Sequence, residues 1–304
     1  MTFSKASAAG VSIAYNLLLI ALKVAVGVIT GSVAIISEAL HSIMDLVAAV
    51  IAFVSVRKAD EPADAEHPYG HAKAENIAAA FEGFLLIVAS VVIVVEAVRR
   101  LESGSEVQAI GLGIGVIAFS IVGSALVASF LFRQAGKHES PALEGDATHL
   151  QADSLSSVAV LVGLILVQIT GNAAFDSIVA ILIAVWIAYT GARITWRAVM
   201  DLMDLAPPPE EMDAIERMIA SNRPPEMAGY HKLRARKAGS RRYVEMHVQF
   251  RSGTSLEKAH ELAHRLRDTI ESEMGGSEVL IHVEPESSVK DRDGESAEGP
   301  FRSG

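Results

Sequence analysis

Residues 37–53 read SEALHSIMDLVAAVIAF, and residues 145–166 read GDATHLQADSLSSVAVLVGLIL. Each sets a histidine and an aspartate four positions apart inside an apolar stretch: His41 with Asp45, and His149 with Asp153. On a helix that spacing turns both side chains to one face, about 6 Å apart. Ionisable groups at membrane depth cost at least ~2.5 kcal/mol each on insertion scales and by default are functional. Two such pairs facing each other make a four-ligand cage of nitrogen and oxygen. That suits a divalent metal and makes ion movement the leading reading.

The surrounding sequence supports a membrane setting. The chain has 304 residues, 51% hydrophobic, with a mean hydropathy of +0.35, high for a soluble protein. Six runs approach the ~20 residues needed to cross a bilayer: 11–29, 33–56, 77–98, 110–132, 147–170 and 175–195. A turn at Thr30-Gly31-Ser32 joins the first two, and Gly171-Asn172 joins the last two. The N-terminal MTFSKASAAG has no cleavable-signal pattern and reads as the start of the first span. Lys5, Arg57, Lys58, Lys73, Arg133, Lys137, Arg193 and Arg197 fall on one side of this scheme, with Arg99 and Arg100 on the other. The basic side is cytoplasmic, so both termini are expected there. In the fifth span the purely apolar part, 158–170, is too short to cross alone. The polar segment 148–157 must complete it, facing protein or a water-filled cavity.

The absence of cysteine excludes disulfides and restricts any metal site to imidazole and carboxylate. A net charge of −10 argues against a nucleic-acid partner. No Walker sequence is present, so an ion gradient replaces ATP as the natural energy source. Gly111, Gly113 and Gly115 lie in an apolar helix without a preceding strand, which points to close helix packing rather than a phosphate loop.

After Ala206 the prolines 207–209 end the sixth helix and open a charged region. Residues 210–221 and 256–274 read as helices; 229–237, 241–251 and 278–283 read as strands. The order helix, strand, strand, helix, strand predicts a small ferredoxin-like α+β domain. The expected organisation is a six-helix transmembrane domain over 1–206, the αββαβ domain over 207–286, and a disordered polar tail over 287–304.

Polar contact between helices is the plain structural explanation for His41, Asp45, His149 and Asp153. Two matched pairs on separate helices are more specific than that. Two imidazoles and two carboxylates match tetrahedral Zn²⁺, and the two negative charges balance the ion.

These paired motifs, six spans and a C-terminal α+β domain resemble the cation diffusion facilitator family of metal/proton antiporters over residues 11–286. The resemblance implies a transport site at His41, Asp45, His149 and Asp153. Bacterial relatives often carry Asp where this chain has His41. The His version resembles the zinc-preferring branch, favouring Zn²⁺, with Cd²⁺, Fe²⁺, Co²⁺ and Mn²⁺ as alternative substrates. Asp64, His67 and His71 resemble the family's cytoplasmic loop site; three ligands leave an open position and faster exchange. A solvated charged loop is the plain alternative. His231, His247, His260, His282 and Glu284 resemble a binuclear site between paired soluble domains, with Glu where close relatives often carry Asp; taken singly, each histidine reads as an ordinary surface residue. His138 and His264 are left unassigned. Lys73 and Asp204 resemble a charged interlock between the third and sixth helices, against the alternative of a surface ion pair worth ~0–1 kcal/mol. Glu38, one turn outward of His41, either draws cations in or has no direct role.

The family resemblance thus implies a homodimer in the plasma membrane that moves Zn²⁺ outward against protons. Domain metal would hold the dimer together and raise activity. A membrane-anchored zinc sensor and a passive channel are the competing readings. An anchor needs no aligned intramembrane pairs, and a channel needs no proton counterflow. No HExxH and no nucleophile–base arrangement supports a hydrolase.

Overall fold

The structure, a computed structural model, describes residues 4–30, 33–103, 111–172 and 174–288. The turn at 31–32 and the tail beyond 288 lie outside the described residues, as do the side chains of Glu38 and His41. The chain divides into two compact units, Met1–Leu202 and Met203–Gly304.

The first unit is six long helices: α1 (Lys5–Thr30), α2 (Val33–Ala59), α3 (Ala74–Ser103), α4 (Gly111–His138), α5 (Pro141–Thr170) and α6 (Ala174–Leu202). Among the described residues, α1, α3, α4, α5 and α6 are long and apolar enough to cross a membrane. Several helices outrun the apolar windows that announce them, and in α5 caps set the ends. α5 starts at Pro141, not near 147: Ser140 accepts a hydrogen bond from the Leu143 N–H, and Pro141 occupies the first turn. It stops at Gly171, whose φ of 69° suits a left-handed cap.

Lys5 joins three helices at one end of the unit. Its Nζ lies 2.6 Å from Asp60 Oδ1, just past α2, and 2.8 Å from Glu75 Oε1 in the first turn of α3. The same end collects the start of α3 and the end of α6, where Asn76 donates to Asp201 at 3.2 Å. Alternating helices thus bring the predicted basic side together.

Close helix packing occurs, but not at Gly115, where an added Cβ would meet nothing within 4 Å. The surroundings of Gly111 and Gly113 lie outside the described residues. The tight crossing is α3 on α6. A Cβ on Gly83 would lie 2.7 Å from the Gly191 carbonyl oxygen, and one on Gly191 2.7 Å from that of Gly83. Small residues let the two backbones touch.

The second unit contains α7 (Pro209–Ser221), β1 (Met227–Ala238), β2 (Arg241–Phe250), α8 (Leu256–Glu273) and β3 (Ser277–Pro285), with a 3₁₀ turn over Glu286–Ser288. The sheet order is β1-β2-β3; β1 and β2 pair antiparallel, β2 and β3 parallel. The parallel pair needs a crossover, which α8 supplies. Leu262, Leu266 and Ile270 recur every four residues on α8 and bury that face with Val244, Met246 and Val248 of β2. The expected ferredoxin-like order is present.

Candidate metal centres

Asp45, His149 and Asp153 each offer a ligand atom lying within 4.8 Å of the other two. His149 Nε2 is 3.4 Å from Asp45 Oδ1 and 3.8 Å from Asp153 Oδ2. Neighbouring ligand atoms on a tetrahedral Zn²⁺ with 2.0–2.2 Å bonds stand roughly 3.3–3.6 Å apart. The cluster is therefore close to ligand spacing and slightly open. Asp45 and His149 are buried, and Asp153 is partly exposed. His41 precedes Asp45 by one helical turn on α2.

Glu82 was not anticipated. It is fully buried on α3, and its Oε2 lies 3.6 Å from His149 Nδ1. An acid inside the apolar stretch 77–98 was the available signal. Two more buried polar contacts surround the cluster's helices: Ser12 donates to Asp146 at 2.9 Å, and Lys23 donates to Ser42 at 2.8 Å.

The loop between α2 and α3 gathers Asp64, His67 and His71 as the sequence suggested. Asp64 Oδ1 accepts from the backbone N–H groups of Glu66 (3.0 Å) and His67 (2.6 Å), folding the loop on itself. Gly70, at φ 78°, completes the turn and brings His71 back. His71 Nε2 then lies 3.1 Å from His67 Nδ1 and 3.3 Å from Asp64 Oδ2, matching ligand edges of a tetrahedron. The His67 backbone N–H is the main reason the Asp64 carboxyl sits below its ordinary value, partly opposed by burial. Asp64 and His67 are exposed, whereas His71 is buried.

In the second unit, His231, His247 and Glu284 come together. His231 pairs with His247 across β1 and β2, and His247 with His282 across β2 and β3. A bulge directly after His231, with Lys232 at φ 52°, re-aims the strand there. Glu284 accepts from His231 Nε2 at 2.9 Å and from His247 Nδ1 at 2.7 Å. The longer Glu side chain thus reaches both rings, and the donor set fits a divalent metal. His282 stays at the margin, 3.6 Å from Glu284 and well exposed. His260 does not join the group within one chain. It is exposed on α8, its ring tilted against that of His264 with centroids 4.1 Å apart, because the buried stripe of α8 turns Leu262 and Leu266 inward instead.

Lys73 and Asp204 each have a partner within their own unit. Lys73 donates to the Leu202 carbonyl oxygen at 3.2 Å, and Asp204 accepts from Arg236 at 2.9 Å.

Comparison with known proteins accords with this geometry. Residues 9–203 match the cation efflux transmembrane domain family, and residues 207–286 match the cytoplasmic domain of cation efflux proteins. An uncharacterised transporter of a Synechocystis strain is 33% identical over 276 residues, covering 90% of this chain and 88% of that one. The cation-efflux pump FieF of Pectobacterium atrosepticum is 32% identical over 277 residues, covering 91% of each. Among solved structures, the metal-bound C-terminal domain of the CzcD transporter from Thermotoga maritima is 29% identical. It covers 28% of this chain and 100% of that one, with a TM-score of 0.25.

Proposed function

Because the chain belongs to the cation diffusion facilitator family of divalent-metal efflux transporters, we propose that it exports Zn²⁺ across the plasma membrane in exchange for protons, as a homodimer with cytoplasmic termini. Cd²⁺, Fe²⁺, Co²⁺ and Mn²⁺ are its alternative substrates. The observation that carries this reading is the convergence of Asp45, His149 and Asp153 from α2 and α5 inside the helical unit. His41, one turn before Asp45, is the fourth ligand.

Metal from the cytoplasm enters along the polar half of α5 and is held by the two carboxylates and two imidazoles. Outward rocking of the helices then exposes the site. Protons compete for the same lone pairs, the metal leaves, and the protons travel back. A ligand shifts a conformational equilibrium only through unequal affinity for its two states, so metal and proton act as rival ligands of one cage. Asp64, His67 and His71 capture metal at the cytoplasmic surface, where an open coordination position speeds exchange. His231, His247 and Glu284 would hold a resident metal whose charge ties β1 to the β2–β3 pair; His282 and the exposed His260 complete that site when two copies pair. Lys73 and Asp204 serve as the charged interlock.

The test is Zn²⁺ flux in proteoliposomes with and without a pH gradient. Flux should depend on the gradient, and it should collapse in Asp45→Ala and in Asp153→Ala. Near-normal uptake by both variants sinks the proposal, and flux indifferent to the gradient leaves a channel.

A further inference from the structure

His149 has two ring nitrogens with different surroundings. Nε2 faces Asp45 at 3.4 Å and Asp153 at 3.8 Å, the side on which the metal is proposed to bind. Nδ1 faces Glu82 at 3.6 Å. Glu82 is 0% exposed, and neither of its carboxylate oxygens nor His149 Nδ1 has a hydrogen-bond partner. A carboxylate buried without partners carries one of the largest penalties in folding, so its position beside an equally orphaned imidazole nitrogen calls for a function. The distance is a few tenths of an ångström beyond a hydrogen bond, a gap typical of sites that tighten only when loaded.

The approach is built into the backbone. Gly145 lies one turn before His149 on α5, and a Cβ there would stand 3.1 Å from Glu82 Cβ, 3.2 Å from Glu82 Cγ and 3.4 Å from Ala79 Cα. Glycine at this position lets Glu82 lie alongside α5 and reach the ring. On its other side, Gly83 holds α3 against α6. Glu82 is thereby set between two helix crossings with little room to turn elsewhere.

We propose that Glu82 is a positioning residue for transport, its carboxylate accepting a hydrogen bond from His149 Nδ1–H and so keeping Nε2 free to take the metal. This rests on the transport site proposed above. A carboxylate behind a ligating histidine fixes the tautomer, orients the ring and makes the ligating nitrogen a better donor; losing such a partner typically weakens metal binding by about 10–100-fold. Glu82 is not itself a ligand in this arrangement, since it lies across the ring from the two aspartates.

The experiment is a Zn²⁺ titration of the full-length chain in micelles against a chelating indicator. All arms carry His71→Ala and His247→Ala to silence the other two clusters. Glu82→Ala is expected to weaken binding by about 10–100-fold, while Glu82→Gln, whose amide oxygen still accepts from Nδ1–H, is expected to stay within about threefold of the parent. Asp153→Ala is expected to lose binding altogether; if it does not, the transport site itself falls, and the role of Glu82 with it. Loss in Asp153→Ala alongside parent-like binding in Glu82→Ala overturns the role of Glu82 alone. Should Glu82→Ala not fold, nitrogen chemical shifts of the His149 ring in the unsubstituted chain decide the matter. A proton on Nδ1 upholds the proposal, and a bare Nδ1 overturns it.

Discussion

Asp45 on α2 and His149 on α5 stand 3.4 Å apart although 104 residues separate them in the chain. Removing Asp45 takes away one of the two negative charges that the proposed metal needs. Loss of a group that merely supports a ligand costs up to about 100-fold in affinity, so loss of a ligand costs at least that. Asp45→Asn should lower Zn²⁺ affinity at this site by on the order of a hundredfold or more. Titration of the full-length variant in micelles measures it, and a change below tenfold contradicts the assignment.

The α3–α6 crossing makes a second prediction. An added methyl at Gly191 meets the Gly83 carbonyl oxygen at 2.7 Å and Leu86 Cβ at 2.9 Å, both closer than van der Waals contact. Backbone has to move, and overpacking of that kind costs about 1–3 kcal/mol. Gly10 in α1 has nothing within 4 Å of the same methyl, so Gly10→Ala should be neutral or stabilise by up to about 1 kcal/mol. Thermal unfolding of the helical unit, followed by Trp186 and Trp196 on α6, compares the two. Equal midpoints for both variants would show that the crossing is not tight.

The i, i+4 pairs were legible because spacing on a helix is a local property, and ionisable groups in apolar runs stand out. Their convergence was inferred from matching chemistry, and Asp45 and His149 meet accordingly. Glu82 was missed for the complementary reason. It is a lone acid with no partner at helical spacing, and only the approach allowed by Gly145 brings it to His149. The αββαβ order was legible from alternation and turns. His231, His247 and Glu284 were among the five residues the family resemblance suggested there; which of the five meet within one chain depends on strand register and on the bulge after His231. His260 entered that group, with His282, through the family resemblance; within one chain the buried stripe of α8 turns it outward. α5 starts six residues before its apolar window because Ser140 and Pro141 cap it ahead of Glu144 and Asp146, whose charges interrupt the apolar run.

The loop cluster differs from the other two in exposure, and that decides its exchange behaviour. Asp64 and His67 have side chains about half exposed, 48% and 53%. Water reaches any ion held there, and three ligands leave a position open to a chelator. Stripping a metal-loaded chain with chelators of rising strength should release one ion ahead of the rest. That first ion should be missing in His71→Ala, while later steps stay unchanged. A first step that survives in His71→Ala would place the labile ion elsewhere.

Metal in the second unit should stabilise the sheet that holds it. A ligand bound only to the folded form contributes about 2.7 kcal/mol at a hundred times its dissociation constant. Because His231, His247 and Glu284 come from β1, β2 and β3, the gain should appear as slower amide exchange across all three strands. Adding Zn²⁺ to the full-length chain should protect those amides, and Glu284→Gln should remove most of the effect. Protection confined to α8 would point to the His260–His264 pair instead.

Glu211 gives the same unit a pH dependence that is independent of metal. It lies 2.7 Å from Lys237 Nζ and also accepts from Arg242 Nε, tying the start of α7 to the β1–β2 hairpin. Burial alone would raise its carboxyl, but hydrogen bonds from Lys237 and Arg242 outweigh that and hold it below the ordinary 4.5. A folded-state value below the unfolded one means the stabilisation is fully present above the ordinary carboxylate range. It is lost as pH falls through the lowered value. Glu211→Gln should therefore destabilise the unit at neutral pH, by about 1–2 kcal/mol for a partly screened, hydrogen-bonded charge pair. The penalty should shrink as the pH is taken below the ordinary carboxylate range. Amide exchange of α7 and β2 in the full-length chain, run at neutral and acid pH, reads the difference. A penalty that persists unchanged in acid would show that Glu211 acts through packing rather than charge.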